Sequence, residues 1–225
     1  GLDRAGNERS WRERIPALPQ GPALTLEEIK HSHLRGRGGA GFMTGLKWEA
    51  CRTAPGPQRH VVCNADEGEP GTFKDRWILE NNPHMLLESM LIASYALNVR
   101  NCFVYIRGEF DLPYRRLADA VEEAYAAGLF GRNVLGTDFS CDIVVYRGAG
   151  AYVAGEASGL ISSLEGKKGY PRNRPPRLTV KGLYQRPTVV NNVESLSNIA
   201  WIINHGADAF KAVGTPKSPG TRLFS

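Results

Sequence analysis

The chain has 225 residues, 42% hydrophobic and 23% charged, enough apolar material to bury a core and too much for a disordered chain. Its 28 basic residues against 23 acidic ones leave a formal charge of +5, too mild to argue for nucleic acid by itself. The richest apolar stretch, Met85 to Leu97, is broken by Glu88 and falls short of the roughly 18 consecutive residues that a membrane span needs.

Residues 1–23 are polar, carry Pro16, Pro19 and Pro22, and read as an irregular N-terminal arm. Gly1 to Arg14 is charged and lacks the apolar run of a secretory signal. Thr25 with Glu28 three residues on has capping-box spacing, which predicts a helix over 26–33. A glycine-rich loop follows, Arg35-Gly-Arg-Gly-Gly-Ala-Gly41, and then a short helix over 46–52. Beyond the turn at Pro55-Gly56-Pro57 the period changes. His60 to Asn64, Cys102 to Ile106 and Asp142 to Tyr146 read as buried strands. Residues 72–80, 83–97, 112–127, 151–164 and 193–204 carry helical patterns. Strands alternating with helices predict an α/β fold: a mostly parallel, Rossmann-like sheet with helices on both faces and the glycine loop lying between helices. In such sheets ligands sit at the carboxyl ends of the strands. Those ends are unusual here: Asn64-Ala-Asp-Glu-Gly-Glu-Pro-Gly71, Arg107-Gly-Glu109 and Arg147-Gly-Ala-Gly150.

Gly36, Gly38 and Gly41 match G-x-G-x-x-G, but a helix precedes them where the dinucleotide fingerprint requires a strand. What survives is the physics of the loop. Glycines bring backbone N–H groups close to a phosphate or a flat ring, and Arg35, Arg37 and Lys47 add positive charge. Asp66, Glu67 and Glu69 suit either sugar hydroxyls or a divalent cation. From 165 to 186 the chain places seven cations, Lys167, Lys168, Arg172, Arg174, Arg177, Lys181 and Arg186, against Glu165 alone. Prolines stiffen this stretch, which suits phosphates or an acidic partner. It lacks the interleaved aromatics of a nucleic-acid platform. Cys51, Cys63, Cys102 and Cys141 form no C-x-x-C, and the five histidines form no H-E-x-x-H. The cysteines therefore read as free thiols of a reducing compartment, and no metal site is expected.

Four blocks taken together carry a resemblance. They are Leu34 to Phe42 running into Thr44-Gly-Leu-Lys-Trp48; Cys63 to Gly71 followed by Phe73-Lys-Asp-Arg76; Arg147 to Glu156 with Ser163-Leu-Glu-Gly166; and Arg186 to Glu194. In this order the chain, from about residue 24, resembles the 51-kDa-type flavoprotein subunit of respiratory complex I and its relatives in NAD-reducing hydrogenases and NAD-dependent formate dehydrogenases. The resemblance implies an electron-input domain that oxidises NADH by hydride transfer to FMN and passes electrons singly to iron–sulfur clusters. It places FMN against Gly36, Arg37, Gly38, Gly39, Lys47, Asn64, Asp66, Glu67, Tyr152, Gly155, Glu156, Val190, Asn191 and Asn192. It places NADH against Gly39, Phe42, Glu69, Tyr152, Arg174 and Arg177. No side chain is expected to be catalytic, since FMN takes the hydride with Glu67 and Glu156 nearby.

By the same resemblance residues 24–213 form the FMN/NADH domain. Residues 214–225 are a linker and the start of a ubiquitin-like domain, and a 4Fe–4S cluster belongs to a later domain. The implied partners are a thioredoxin-like 2Fe–2S subunit or domain and a larger iron–sulfur subunit. No membrane insertion is implied, and the implied location is the cytoplasm, or the cytoplasmic or matrix face of a membrane complex. Five positions depart from the family pattern, one of them Met43, which stands where proline is frequent. Ala157 stands where a second glutamate is usual, Ala50 and Arg177 where adenine-stacking aromatics are expected, and Arg174 where lysine is common. These departures keep two alternatives open: an FMN-carrying paralogue with another donor or acceptor, and a non-catalytic docking or assembly subunit.

Overall fold

Four parallel strands in the spatial order β3-β2-β1-β4 form the centre of the computed structural model, which describes residues 21–225. In chain order the elements are α1 (Pro22–His31), α2 (Thr44–Thr53), β1 (His60–Ala65), α3 (Lys74–Asn81), α4 (Pro83–Leu97), β2 (Asn101–Ile106), α5 (Asp111–Ala126) and β3 (Asp142–Arg147). There follow α6 (Ala157–Leu164), β4 (Thr188–Asn192), α7 (Val193–His205), α8 (Ala207–Lys211) and a small hairpin of β5 (Gly214–Thr215) with β6 (Ser218–Pro219).

The period-2 alternation of the strands sorts their side chains into two cores. Val61, Cys63 and Ala65 of β1 face the larger one, with Val104 and Ile106 of β2 and the buried faces of α1, α2, α4, α5 and α7. Val62, Tyr105 and Val190 point the other way, onto Leu160, Ile161 and Leu164 of α6 and onto Leu183. Helix α4 is buried nearly all round, which explains why its sequence is apolar on every face. Asn82 caps its start by accepting from Met85 N at 3.2 Å, and Asn98 ends it in the left-handed conformation with φ 52°. The register Val61↔Cys102, Cys102↔Ile143 and Asn64↔Asn192 brings the carboxyl ends of all four strands to one edge. The expected α/β architecture, with a parallel sheet, helices on both faces and a glycine loop between two helices, is what the structure shows.

Some expectations need correction. Thr25 caps nothing: α1 already begins at Pro22, whose missing N–H suits a first helical turn, and Thr25 is buried inside the helix. The arm of residues 1–23 lies outside the described residues up to residue 20, and Pro22 and Ala23 are helical. The helix expected over 151–164 is two pieces, a 3₁₀ turn at Tyr152–Gly155 and then α6. Glu156 separates them because it caps the second and cannot also sit inside it. Strand β4 was not expected at all. Its run of strand-favouring residues is short, two asparagines follow it, and pairing with β1 decides that it is a strand. Residues 221–225 pair with no strand among the described residues.

Candidate functional site

The common edge of the four strands is built by hydrogen bonds between consecutive loops. Arg107 N donates to Ala65 O at 3.1 Å and its Nη1 to Glu67 O at 2.7 Å, tying the loop after β2 to the loop after β1. Gly148 N donates to Ile106 O at 2.8 Å and ties in the loop after β3. Gly108 lies so close under this loop that a Cβ there would sit 2.5 Å from Gly148 O. Asn64 Nδ2 donates to Gly155 O at 2.8 Å and joins the 3₁₀ turn before α6. The three polar loops singled out in the sequence therefore form one surface.

The glycine loop folds over this edge as a tight hairpin: Gly36 N donates to Phe42 O at 2.9 Å, and Thr44 N to Leu34 O at 2.8 Å. A Cβ at Gly38 would press on Asn192 Cβ at 3.0 Å, so the loop lies directly on the end of β4. Gly39 and Gly41, with φ 115° and 64°, need glycine for their backbone, and open space lies where their side chains would be. A flat or phosphorylated ligand could lie against that open stretch of backbone.

Arg37 is engaged within the protein. Its N–H donates to Ser195 Oγ at 2.7 Å. Its buried guanidinium donates to Arg35 O, Pro219 O and Thr221 O at 3.0, 2.8 and 3.2 Å. Its side chain thus anchors the C-terminal segment. Lys47, one turn into α2, reaches the edge instead, where its Nζ donates to Val190 O at 2.9 Å. Burial, with the nearby charge of Arg174, lowers its pKa to about 8. Trp48 is fully buried beside it and donates from Nε1 to Asn191 Oδ1 at 3.0 Å.

The carboxylates divide into three kinds. Glu67 is a cap: its two oxygens accept from Asp75 N and Arg76 N, each at 3.0 Å, at the start of α3. Burial nevertheless holds its pKa above the usual range, with the charge of Asp75 adding to the shift. Glu156 is a second cap. One oxygen takes Ser158 N at 2.8 Å and Gly159 N at 3.0 Å, along with the Ser158 hydroxyl. The other takes Arg174 Nη2 at 2.7 Å. Burial works against its charge, but these hydrogen bonds and Arg174 outweigh it and hold its pKa below the usual range. Asp66 is neither. It is buried, its Oδ2 has no partner among the described residues, and desolvation raises its pKa to about 6 against the pull of Arg107. An unpartnered acceptor at 7% exposure is the feature that a bound ligand's hydroxyl donors would satisfy.

Asn191 and Asn192 lie at the edge as expected, but both side chains are engaged within the protein. Asn192 Nδ2 donates to Asp75 Oδ2 at 2.6 Å, and its Oδ1 accepts from Glu194 N at 3.0 Å. Lys74 closes the group with ion pairs to Asp75 at 2.7 Å and Glu194 at 3.0 Å. Lys74, Asp75, Glu194 and Ser195 were not among the expected site residues. Two signals pointed to the first three: Lys74 and Asp75 stand inside the Phe73 to Arg76 block, and Glu194 ends the Arg186 to Glu194 block, while Ser195 lies outside both. At the outer rim Tyr152 donates from its hydroxyl to Glu69 Oε2 at 2.8 Å, and Phe42 and Tyr152 are exposed. Arg177 is exposed, and its side chain makes no hydrogen bond or ion pair among the described residues. Ala50 is exposed on α2, and Ala157 is the half-buried first residue of α6.

Known proteins resemble the chain over nearly its whole length. The chain is 50% identical over 223 residues to an NADH-quinone oxidoreductase subunit of Aquifex aeolicus, covering 99% of this chain and 52% of that protein. It is 50% identical over 209 residues to the NADH-quinone oxidoreductase subunit of the same name in Streptomyces coelicolor, covering 93% of this chain and 46% of that one. The chain thus spans about half the length of the curated relatives it matches. Among solved structures, a crystal structure of an NAD⁺-reducing [NiFe]-hydrogenase in the H₂-reduced state superposes with a TM-score of 0.89 at 41% identity. That match covers 97% of this chain and 37% of the hydrogenase chain. The family profile described as the Nuo51 FMN-binding domain matches residues 29–201, and the chain belongs to that family.

Proposed function

We propose that this chain is the electron-input flavoprotein domain of a larger enzyme, holding FMN against the carboxyl edge of the sheet and admitting NADH over the glycine loop. When bound, FMN supplies a ring that accepts a hydride and gives up its electrons one at a time. The chain's own residues do the rest. Gly39 and Gly41 offer bare backbone, Lys47 brings a cation to the edge, and Asp66 offers an acceptor for sugar-like hydroxyls. Glu67, Glu156 and the Lys74–Asp75–Glu194 group hold these elements in place without touching the reacting atoms. Phe42, Glu69 and Tyr152 form the rim where the adenosine end of a dinucleotide would lie. The observation that carries the reading is the buried, unpartnered Oδ2 of Asp66, at the same sheet edge on which the open glycine loop lies, in a member of an FMN-binding family.

The names of the relatives place them in multisubunit enzymes. The proposed acceptors here are accordingly iron–sulfur groups: a 4Fe–4S cluster in the part of the longer protein that this chain does not span, a thioredoxin-like 2Fe–2S subunit and a larger iron–sulfur subunit. Among the described residues no helix is long and apolar enough to cross a membrane.

The test is reconstitution with excess FMN, followed by an anaerobic titration with NADH read at about 450 nm, where oxidised flavin absorbs. Retained flavin that NADH bleaches stoichiometrically is the expected result. Failure to retain FMN overturns the reading. Flavin that dithionite bleaches and NADH does not would mean that Ala50, Ala157 and Arg177 have changed the donor.

A further inference from the structure

Behind Glu156 lies a cavity of about 130 Å³ between the start of α6 and the proline-stiffened strap of residues 172–185. Its polar lining comes from Ser158, Arg172, Asn173, Arg174, Lys181 and Gln185. Three of these are cations, two are carboxamides, and no carboxylate lines the wall. The space opens to solvent and has room for a small oxyanion.

The cations differ in how they are held. Arg172 is fixed by Glu165 at 2.9 Å, by Ser162 Oγ at 3.2 Å and by Gly182 O at 3.1 Å. Its own N–H donates to Ser158 Oγ at 2.8 Å, which locks the strap to α6. Arg174 leans on Glu156 at 2.7 Å. Lys181 has no acidic partner among the described residues, so the cavity keeps at least one uncompensated positive charge. The strap is also pinned to β4, through Thr188 N to Leu178 O and Leu183 N to Thr188 Oγ1, each at 2.9 Å. The donors are thus set in place before any ligand arrives. A rigid guanidinium beside a free ammonium recognises phosphoryl oxygens better than it does a diffuse charge.

We propose that this cavity is a phosphoryl-group site, with Lys181 as the charge that selects the ligand and Arg172 as the fixed donor. The group is a phosphate dianion. Its source is either free inorganic phosphate or a phosphate monoester on the dinucleotide, such as the 2′-phosphate that distinguishes NADPH from NADH. Only the second source rests on the dinucleotide reading given above.

Calorimetric titration of the 225-residue chain with inorganic phosphate, at constant ionic strength in a phosphate-free buffer, tests the site. Saturable binding that weakens about tenfold or more in Lys181→Met, with the melting temperature of the unliganded variant unchanged, is the expected result. Lys181 is exposed, so its truncation leaves the fold intact; Lys181→Arg restores binding because it restores the charge. Parallel anaerobic titrations of the FMN-reconstituted chain with NADH and NADPH separate the sources. NADPH tighter than NADH, by a margin that Lys181→Met removes and inorganic phosphate competes away, identifies the monoester. Equal affinities with phosphate still bound identify the free ion. Phosphate bound while neither nucleotide binds leaves the site standing and overturns the dinucleotide reading. The proposal is overturned if phosphate shows no saturable binding and NADH and NADPH bind equally.

Discussion

Lys47 and Asp66 carry the most exposed consequences of the site, because each is a titratable group removed from water without full compensation. With its pKa near 8, Lys47 has lost its proton in half of the unliganded molecules at that pH. An anionic flavin needs the ammonium, so FMN binding takes up a proton there and affinity falls as pH rises through about 8. Fluorescence titrations of FMN from pH 6.5 to 9 measure this, and Lys47→Met flattens the profile. The same change weakens binding about tenfold or more, since a charge-assisted hydrogen bond contributes about 1.5–3 kcal/mol. Asp66 works in the opposite sense. Its folded pKa of about 6 lies above the 3.8 of the unfolded chain, so its ionisation costs stability fully above pH 6. That cost fades as pH falls toward 4. Asp66→Asn therefore stabilises the flavin-free protein at pH 7–8, by about 1–2 kcal/mol after allowance for screening, and gains nothing near pH 4. Urea melts at the two pH values show whether that holds. Ala157 concerns the bound state. A glutamate restored at this first residue of α6 puts negative charge beside a group that becomes more negative on reduction. Ala157→Glu therefore lowers the flavin potential, as spectroelectrochemistry reads it; an unchanged or higher value contradicts this.

At the scale of elements, the site is held together by helix caps. Glu67 and Glu156 resemble functional carboxylates in the sequence, yet each spends oxygens on the first N–H groups of a helix. A capping carboxylate satisfies orphan donors and meets the positive end of the helix dipole. The expected effect of Glu67→Ala is a loss of about 1–2 kcal/mol of stability, because two cap bonds vanish together at α3. Thermal melts of the flavin-free chain measure it. If Glu67→Ala melted like the parent and lost only FMN affinity, the carboxylate would be a ligand and not a cap. The capping role was hidden in the sequence because Glu67 lies in the loop well ahead of α3, and Glu156 sits inside the stretch 151–164 that reads as one continuous helix. The helices α4 and α5 were legible for the opposite reason: their long apolar patterns and clear ends left no competing reading. Strand β4 was not legible: Thr188, Val189 and Val190 favour a strand, but the run is short and two asparagines follow it, so hydrogen bonds to β1 decide it.

At the scale of the molecule, the C-terminal segment belongs to the architecture of the site. Arg37 holds the carbonyls of Pro219 and Thr221, and Glu194 Oε1 accepts from Leu223 N at 2.8 Å. Glu194 also pairs with Lys74 and so joins this segment to the group around Asp75 and Asn192. A change at the site is therefore coupled to residues 219–223. Glu194→Gln weakens both links, and hydrogen exchange at Leu223 accelerates as a result. Protection at residue 223 equal to that of the parent would show that Arg37 alone carries the segment.

The sequence by itself determined the α/β class, the parallel strands β1 to β3, the polar strand ends and the family, because period, length and motif order are local properties of the chain. Only the tertiary structure decided which charged residues are engaged within the frame and which are left without a partner. Arg37 turned to the C-terminal segment, Glu67 and Glu156 became caps, and Asp66 was left buried with an unpaired oxygen. The physical reason is that a charged side chain ends beside whatever groups best replace its lost water. For these residues those groups lie tens to well over a hundred positions away, or at the start of a helix whose boundary packing had to define.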